Sequence, residues 1–232
     1  MNLKHDKTRH ALVLLMTLVA GCVDAIAFVN AGVFPANMSG NTIVFAVSLA
    51  HGAANFREAH AGLVMLGFCC GSAVASLLIQ SQRNEWSRSV NLVIFLAGLI
   101  LLGWGVSLSH GNQGFSLAHL FLIASAMGMQ SATALHLNFP GAGTTTAVTS
   151  TLTAVVSRTV HHLRAAVFPG FQVSLPSPWF PMMVFCLYLS GAVIGSLQKG
   201  IHTTIAIFIA GFLLIGVTIT AEILSPSARK SS

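Results

Sequence analysis

Six stretches of this chain are long enough and apolar enough to cross a lipid bilayer as helices. A hydrocarbon core about 30 Å thick needs about 20 helical residues. Asp24 is the one fully charged residue inside these stretches, which are Ala11–Phe34, Ala61–Gln80, Ser89–Ser109, Phe115–Leu137, Trp179–Gln198 and Ile201–Ala221. With 7% charged residues and a mean hydropathy of +0.80, the chain has too little polar surface for a soluble, disordered or nucleic-acid-binding protein. We therefore predict an all-α polytopic membrane protein.

Two shorter apolar runs, Met38–Ala50 and Thr144–Ser157, each follow the first long stretch of one half of the chain. At 13 and 14 residues they are too short to cross comfortably. The halves can be superimposed, with Gly21–Ala25 on Gly128–Ala132, Asn37–Thr42 on Ala147–Leu152 and Gly67–Gly71 on Gly191–Gly195. We predict an internal duplication: residues 11–109 and 115–222 form two membrane repeats, between a basic N-terminus (1–10) and a polar tail (223–232).

Loop charges bear on whether the short runs cross the membrane or re-enter it. If they re-enter, each half has three spans and the repeats are inverted; if they cross, each half has four spans and the repeats are parallel. With the N-terminus inside, six spans place nine Lys and Arg residues in the cytoplasm and two outside, against eight and three for eight spans. Both satisfy the positive-inside rule. We favour six spans plus two short elements, in a bacterial inner membrane with both termini cytoplasmic.

Asp24 is the most informative residue, because a carboxylate in a spanning helix is costly unless it faces a partner or water. One interpretation is a protonatable or cation-coordinating group. The other is a buried anchor that accepts hydrogen bonds from a neighbouring helix. Gln130 and Ser131 occupy nearly the same place in the second half, and Gln130 is expected to face Asp24 near the midplane.

The short elements are rich in polar side chains. Irregular backbone at membrane depth is tolerated only inside protein or along a cavity, and Pro35 and Gly40 favour a break near the first element. We predict that these side chains line a central cavity, although Ser and Thr can also merely bond to their own helix. The candidate binding residues are Asp24, Asn37, Ser39, Asn41, Gln130, Ser131, Thr145, Thr149 and Thr151.

Two glycine pairs, Gly67 with Gly71 and Gly191 with Gly195, have the small-xxx-small spacing that lets helices pack closely. Cysteines and histidines show no metal-ligand spacing, and we see no catalytic motif. The chain has five acidic residues, four of them in tails, loops or span ends, which leaves almost nothing for acid–base chemistry. We expect neither an enzyme nor a cofactor or metal.

The motifs Gly21-x-x-Asp24-Ala25, Asn37-Met38-Ser39-Gly40-Asn41, Gly128-x-Gln130-Ser131-Ala132 and Thr145-Thr146-x-x-Thr149-x-Thr151 together resemble those of the YoaK-like (DUF1275) bacterial membrane proteins. The resemblance runs from about Ala11 to Ala221. Ser39, Ser131 and Ser150 stand where the family motifs have Thr, Asn and Gly, so the second helix break is expected to be less pronounced here. The resemblance implies the architecture and these residues, and leaves the substrate open.

Paired short elements in corresponding halves are a sequence pointer to a secondary transporter. The leading hypothesis is a carrier for a small molecule or an ion, with a central site around Asp24. The alternatives are a channel and a non-transporting membrane partner or sensor. The expected partners are the lipid bilayer, an unidentified small-molecule or ion substrate and a possible second copy of the chain, but no nucleic acid.

Overall fold

The computed structural model describes residues 3–51, 56–79, 86–110, 115–138, 148–168, 175–198 and 200–224. The regular structure of these residues consists of eight α-helices. In chain order they are α1 (Leu3–Ala31), α2 (Met38–His51), α3 (Phe56–Leu78), α4 (Arg88–Ser109), α5 (Leu117–Leu137), α6 (Val148–Val167), α7 (Trp179–Ser196) and α8 (Ile201–Leu224).

Six of the helices are long and apolar enough to span a membrane, which confirms the predicted all-α polytopic fold. They contain the segments Arg9–Ala31, His60–Leu78, Arg88–Ser109, Leu117–Leu137, Trp179–Ser196 and Ile201–Ile223. The first segment ends at Ala31 rather than Phe34, because Gly32 takes a left-handed conformation with φ of +72° and ends α1.

The two short elements differ from each other. Helix α2 has 14 residues, close to the predicted length. Helix α6 has 20 residues and continues past Ser157 through Arg158 and Arg164, so the second short element is longer than we predicted. An apolar run ends at the first charge, whereas a helix continues through Arg and His, which are tolerated in helix interiors.

Helices α1 and α5 are the two most buried spans. Helix α1 packs along α7, α5 packs along α3, and α4 packs against α8. The ring of His10, in the third turn of α1, lies 4.5 Å from that of Phe180 in the first turn of α7. Asp24, further along α1, bonds to Tyr188, further along α7, so these two helices run parallel. Asn91 near the start of α4 donates to Glu222 near the end of α8, so this pair is antiparallel.

Backbone contact between neighbouring helices explains the glycine pairs. A Cβ added to Gly191 or Gly195 would collide with a carbonyl oxygen of α1, and one added to Gly67 or Gly71 would collide with a carbonyl oxygen of α5. The hydroxyl of Ser125 on α5 also donates to the Gly67 carbonyl across the second contact, over 3.0 Å. In each pair of helices, the two backbones therefore lie so close together that only glycine, which has no side chain, fits at these positions.

The same contacts give the register between the two helix pairs. A Cβ on Gly21 would collide with the Tyr188 carbonyl, and one on Gly128 with the Phe68 carbonyl. When Gly21 is equated with Gly128, Tyr188 therefore corresponds to Phe68. Gly191 then corresponds to Gly71 rather than to Gly67, a shift of one helical turn from a simple pairing of the two small-xxx-small motifs.

Large apolar side chains cover the outside of the bundle. Leu66, Leu77, Phe212, Ile219 and Ile223 all have more than half of their surface exposed. A water-soluble monomer rarely exposes so much contiguous apolar surface, whereas lipid hydrocarbon accommodates it.

Candidate functional site

Asp24 lies on α1 with 2% of its surface exposed, and donors from two other parts of the chain surround its carboxylate. The Ala36 backbone N–H donates to Oδ1 over 2.6 Å, and the Tyr188 hydroxyl donates to Oδ2 over 2.6 Å. The backbone N–H of Asn37 also donates to this carboxylate. A buried carboxylate with three donors is well accommodated, because each bond replaces part of its lost hydration.

The chain reverses direction directly after α1. Asp24 lies seven residues before Ala31, which is about 10 Å along the helix axis. Because Ala36 reaches back to Asp24, residues 32–37 must descend beside α1 by about that distance. We call residues 32–37 the reversal linker. Helix α2 therefore begins at the depth of Asp24 and leads back toward α3, where Phe45 meets Gly62.

Asn41, a fully buried residue on α2, fixes the reversal linker from the other side. Its Oδ1 accepts from the Phe34 backbone N–H over 3.0 Å, and its Nδ2 donates to the Phe34 carbonyl over 2.6 Å. The Phe34 ring stacks on the Phe28 ring with centroids 4.6 Å apart. Gly40 leaves room for the Phe34 ring, since an added Cβ would lie 3.0 Å from it.

The carboxylate of Asp24 also lies at the N-terminal end of α2, because its two backbone donors directly precede Met38. The first N–H groups of a helix have no partner within the helix, and this end carries a partial positive charge. Asp24 therefore compensates a helix terminus at membrane depth, where no water is present to do so.

The remaining first-half candidates lie near this cluster. Asn37 is half-buried in the reversal linker, and Ser39 is exposed in the first turn of α2. Within the described residues, neither side chain forms a hydrogen bond to Asp24.

The second-half candidates lie elsewhere. Gln130 is fully buried, and its Nε2 donates to the Met16 carbonyl of α1 over 2.6 Å, two turns from Asp24. The expected Asp24 and Gln130 pair is therefore wrong. Ser131 is buried beside Gln130, Thr151 is buried in α6, and Thr149 is exposed at the start of α6. Thr145 lies outside the described residues.

An apolar cavity of about 150 Å³ lies between α1, α7 and α8. Cys22 and Gly191 are among its lining residues, as are Gln198 and His202 near the turn between α7 and α8. Its walls are otherwise aliphatic, so this cavity suits a hydrocarbon chain better than a polar solute.

Sequence reasoning missed Tyr188 as the partner of Asp24. The sequence feature that could have identified it is that Tyr188 is the chain's one tyrosine and lies in an apolar span. A phenol in hydrocarbon usually bonds to a polar partner, and Asp24 is the one charged residue within the six apolar stretches. Spacing along the chain gives no hint of this bond, since 164 residues separate the two.

Taken together, this site is a closed junction rather than an open cavity. Asp24 joins the reversal linker to α7, and Asn41 holds the same linker to α2.

Comparison with known proteins gives one family and one relative. Residues 12–220 match the family model described as "Protein of unknown function (DUF1275)". The chain is 25% identical over 221 residues to the UPF0700 transmembrane protein YoaK of Bacillus subtilis (strain 168), covering 93% of this chain and 95% of that protein. No solved structure matches the chain significantly.

Proposed function

The chain belongs to the DUF1275 family, and from that premise we propose that it is a carrier that moves a small molecule or an ion by alternating access around Asp24. The observation that carries this proposal is the reversal linker, which brings irregular backbone and the start of a short helix to the depth of a buried carboxylate. Broken elements of this kind form the substrate and ion sites of many secondary transporters.

The helix contacts support two inverted repeats. Each helix of the first half has a counterpart four helices later, so that α1 corresponds to α5, α3 to α7 and α4 to α8. When counterparts are exchanged, the contact between α1 and α7 becomes the contact between α5 and α3. The contact between α4 and α8 stays the same, with its two helices exchanged. That last contact is reciprocal: a Cβ on Gly98 would lie 3.1 Å from the Gly211 carbonyl oxygen, and one on Gly211 would lie 3.2 Å from the Gly98 carbonyl oxygen. Reciprocal contact between antiparallel helices is what a two-fold axis in the membrane plane produces.

Asp24 is placed to couple ion binding to movement between the repeats. Its carboxylate bonds to the reversal linker in the first repeat and to Tyr188 in the second. Hydrogen bonds to a charged acceptor are roughly twice as strong as those to a neutral one. A proton or a cation at Asp24 would therefore weaken both connections and let the linker move against α7.

The substrate would bind where that movement exposes polar groups. In the first repeat these are the linker backbone and the side chains of Asn37, Ser39 and Asn41. In the second repeat, the corresponding polar groups would act at the opposite membrane face. These are the side chains of Ser131, Thr149 and Thr151, with Gln130 and Thr145. We place the protein in the bacterial inner membrane with both termini in the cytoplasm, and we propose no catalytic activity.

A thermal-shift screen of the detergent-purified protein against amino acids, organic acids, sugars and alkali cations tests this proposal. A ligand that binds the folded state raises its apparent stability. We expect one compound class to stabilise the parent and Glu222→Gln, an exposed carboxylate-to-amide control, but not Asp24→Asn. The compound should then show saturable counterflow in proteoliposomes. An Asp24→Asn protein with full counterflow would contradict the coupling role.

One observation favours a non-transporting membrane partner or sensor as the second candidate. Donors of the protein itself occupy both carboxylate oxygens of Asp24, and the described cavity is apolar. Loss of stability in Asp24→Asn and Asn41→Ala, with no ligand and no flux found for the parent, would favour this candidate. A conductance that does not saturate would instead indicate a channel.

A further inference from the structure

The junction around Asp24 can satisfy both the ionised and the protonated form of the carboxyl group. In the ionised form, the backbone N–H groups of Ala36 and Asn37 and the hydroxyl of Tyr188 donate to its two oxygens. In the protonated form, Oδ2 becomes a donor. The Tyr188 oxygen, 2.6 Å away, can accept from it, because the phenol hydrogen rotates about the C–O bond. The same heavy-atom positions therefore serve the carboxyl group with and without a proton.

Within the described parts of the chain, the junction offers a metal cation few ligands. Hard cations such as Ca²⁺ take about six or more oxygen ligands. In transporters built from broken helices, Na⁺ is coordinated by unwound backbone carbonyls and by helix C-termini. Asp24 instead lies at the N-terminal end of α2, and the Phe34 carbonyl of the reversal linker accepts from Asn41. A cation at Asp24 would therefore meet the N–H hydrogens of the linker, which repel it.

The elements around α1 supply one titratable group that bonds to Asp24, the phenol of Tyr188. Residues 32–37 contain no titratable side chain. On α1 itself, Cys22 lines the apolar cavity, and the other titratable residues lie no further along the helix than His10. The remaining titratable side chains of the neighbouring helices are exposed or lie near helix ends, and they are Cys186 on α7, His119 and His136 on α5, His202 and Glu222 on α8, and His51 on α2.

The second repeat has no ionisable carboxyl group at the matching position. In the register set by the glycine contacts, Ser131 corresponds to Asp24, and Phe68 corresponds to Tyr188. A serine hydroxyl is a neutral donor and acceptor, and a phenyl ring has no exchangeable proton. An ion taken up at this junction is therefore bound by the first repeat alone.

We propose that the ion taken up at Asp24 is a proton, bound at Oδ2 against the Tyr188 oxygen, and that metal cations do not compete for this position. The added proton converts the carboxylate into a neutral carboxylic acid. Its hydrogen bonds to the reversal linker and to α7 are then no longer charge-assisted and become weaker. This choice of coupling ion rests on the proposed carrier function for its role in transport.

Infrared difference spectroscopy of the purified full chain in detergent micelles tests this choice without a transported substrate. The C=O stretch of a carboxylic acid is separate from the bands of a carboxylate, and the chain has five acidic residues, so few groups contribute. We expect a carboxylic acid band that grows as the pH is lowered, remains in Glu222→Gln and is missing from Asp24→Asn. Its midpoint should be the same in the chlorides of sodium, potassium, calcium and choline at equal ionic strength.

Competition by a metal cation would overturn the proton assignment. A bound cation displaces protons one for one, so the midpoint would fall by about one pH unit for each ten-fold rise in that cation. The absence of an Asp24 band over the pH range in which the parent stays folded would overturn it as well. If Asp24→Asn does not fold, Tyr188→Phe takes its place. Loss of the phenol oxygen should move the band to higher frequency, and an unchanged band overturns the assignment.

The carrier function and the proton site can fail separately. A cation-independent Asp24 band, with no counterflow for any compound of the thermal-shift screen, would refute the carrier and support the proton site. Saturable counterflow together with competition by sodium at Asp24 would refute the proton and support the carrier.

Discussion

Removing the hydroxyl of Tyr188 tests whether Asp24 holds the two halves of the protein together. Tyr188→Phe deletes the 2.6 Å hydrogen bond to Oδ2 of Asp24 and leaves the phenyl ring in place. Asp24 keeps its bonds from the backbone of residues 36 and 37, so one of its three donors is lost.

The magnitude follows from the environment of the bond. A hydrogen bond to a charged group contributes about 1.5–3 kcal/mol in soluble proteins. Bonds between membrane helices average about 0.6 kcal/mol and reach about 1.7 kcal/mol. Because the acceptor oxygen is fully enclosed, we expect a value at the upper end of the membrane range, about 1–2 kcal/mol.

A double-mutant cycle isolates this bond. The free energy of unfolding is measured in mixed micelles for the parent, Tyr188→Phe, Asp24→Ala and the double variant. Tyr188→Phe should destabilise the parent by about 1–2 kcal/mol and have almost no effect when Asp24 is absent. Distant residues are usually additive to within about 0.5 kcal/mol, so a coupling energy below that value would refute the bond as a connection between α1 and α7.

Three further variants test other parts of the fold by the same unfolding measurement. Gly71→Ala should destabilise the protein by about 1–3 kcal/mol, because the added Cβ would collide with the backbone of α5. The control Gly103→Ala should be neutral or slightly stabilising, because no atom lies within 4 Å of its added Cβ. Equal effects of the two variants would contradict the close contact. Asn41→Ala leaves a backbone N–H and a C=O of the reversal linker unpaired and should lower the free energy of unfolding by about 1–3 kcal/mol. The exposed control Thr42→Ala should lower it by less than about 0.5 kcal/mol. Similar losses for the two variants would mean that Asn41 does not hold the linker. Glu222→Gln should lower the free energy of unfolding by less than about 1 kcal/mol, because both side chains of its ion pair with Arg88 are more than half exposed. A larger loss would show that this end of α8 is more enclosed than its exposure indicates.

Much of the architecture could be predicted from the sequence, because a spanning helix is a local property. Its free energy of insertion depends on about 20 consecutive residues, which can be read directly from the chain. The same reasoning identified Asp24, since a charge inside such a run is conspicuous. It failed for the length of α6, because the apolar run ends at the first charged residue, Arg158, whereas the helix continues to Val167.

The partners within the fold could not be read in this way. They depend on which helices pack together and in what register. This holds for the bond between Asp24 and Tyr188, for the bond from Gln130 to the Met16 carbonyl, and for the burial of Arg158. The sequence by itself determined the spans and the scarcity of charge within them, because transfer into hydrocarbon acts on each segment separately. Only the tertiary structure decided which polar groups meet, because contact between segments depends on close backbone packing at a few glycines and on the need of every buried polar group for a partner.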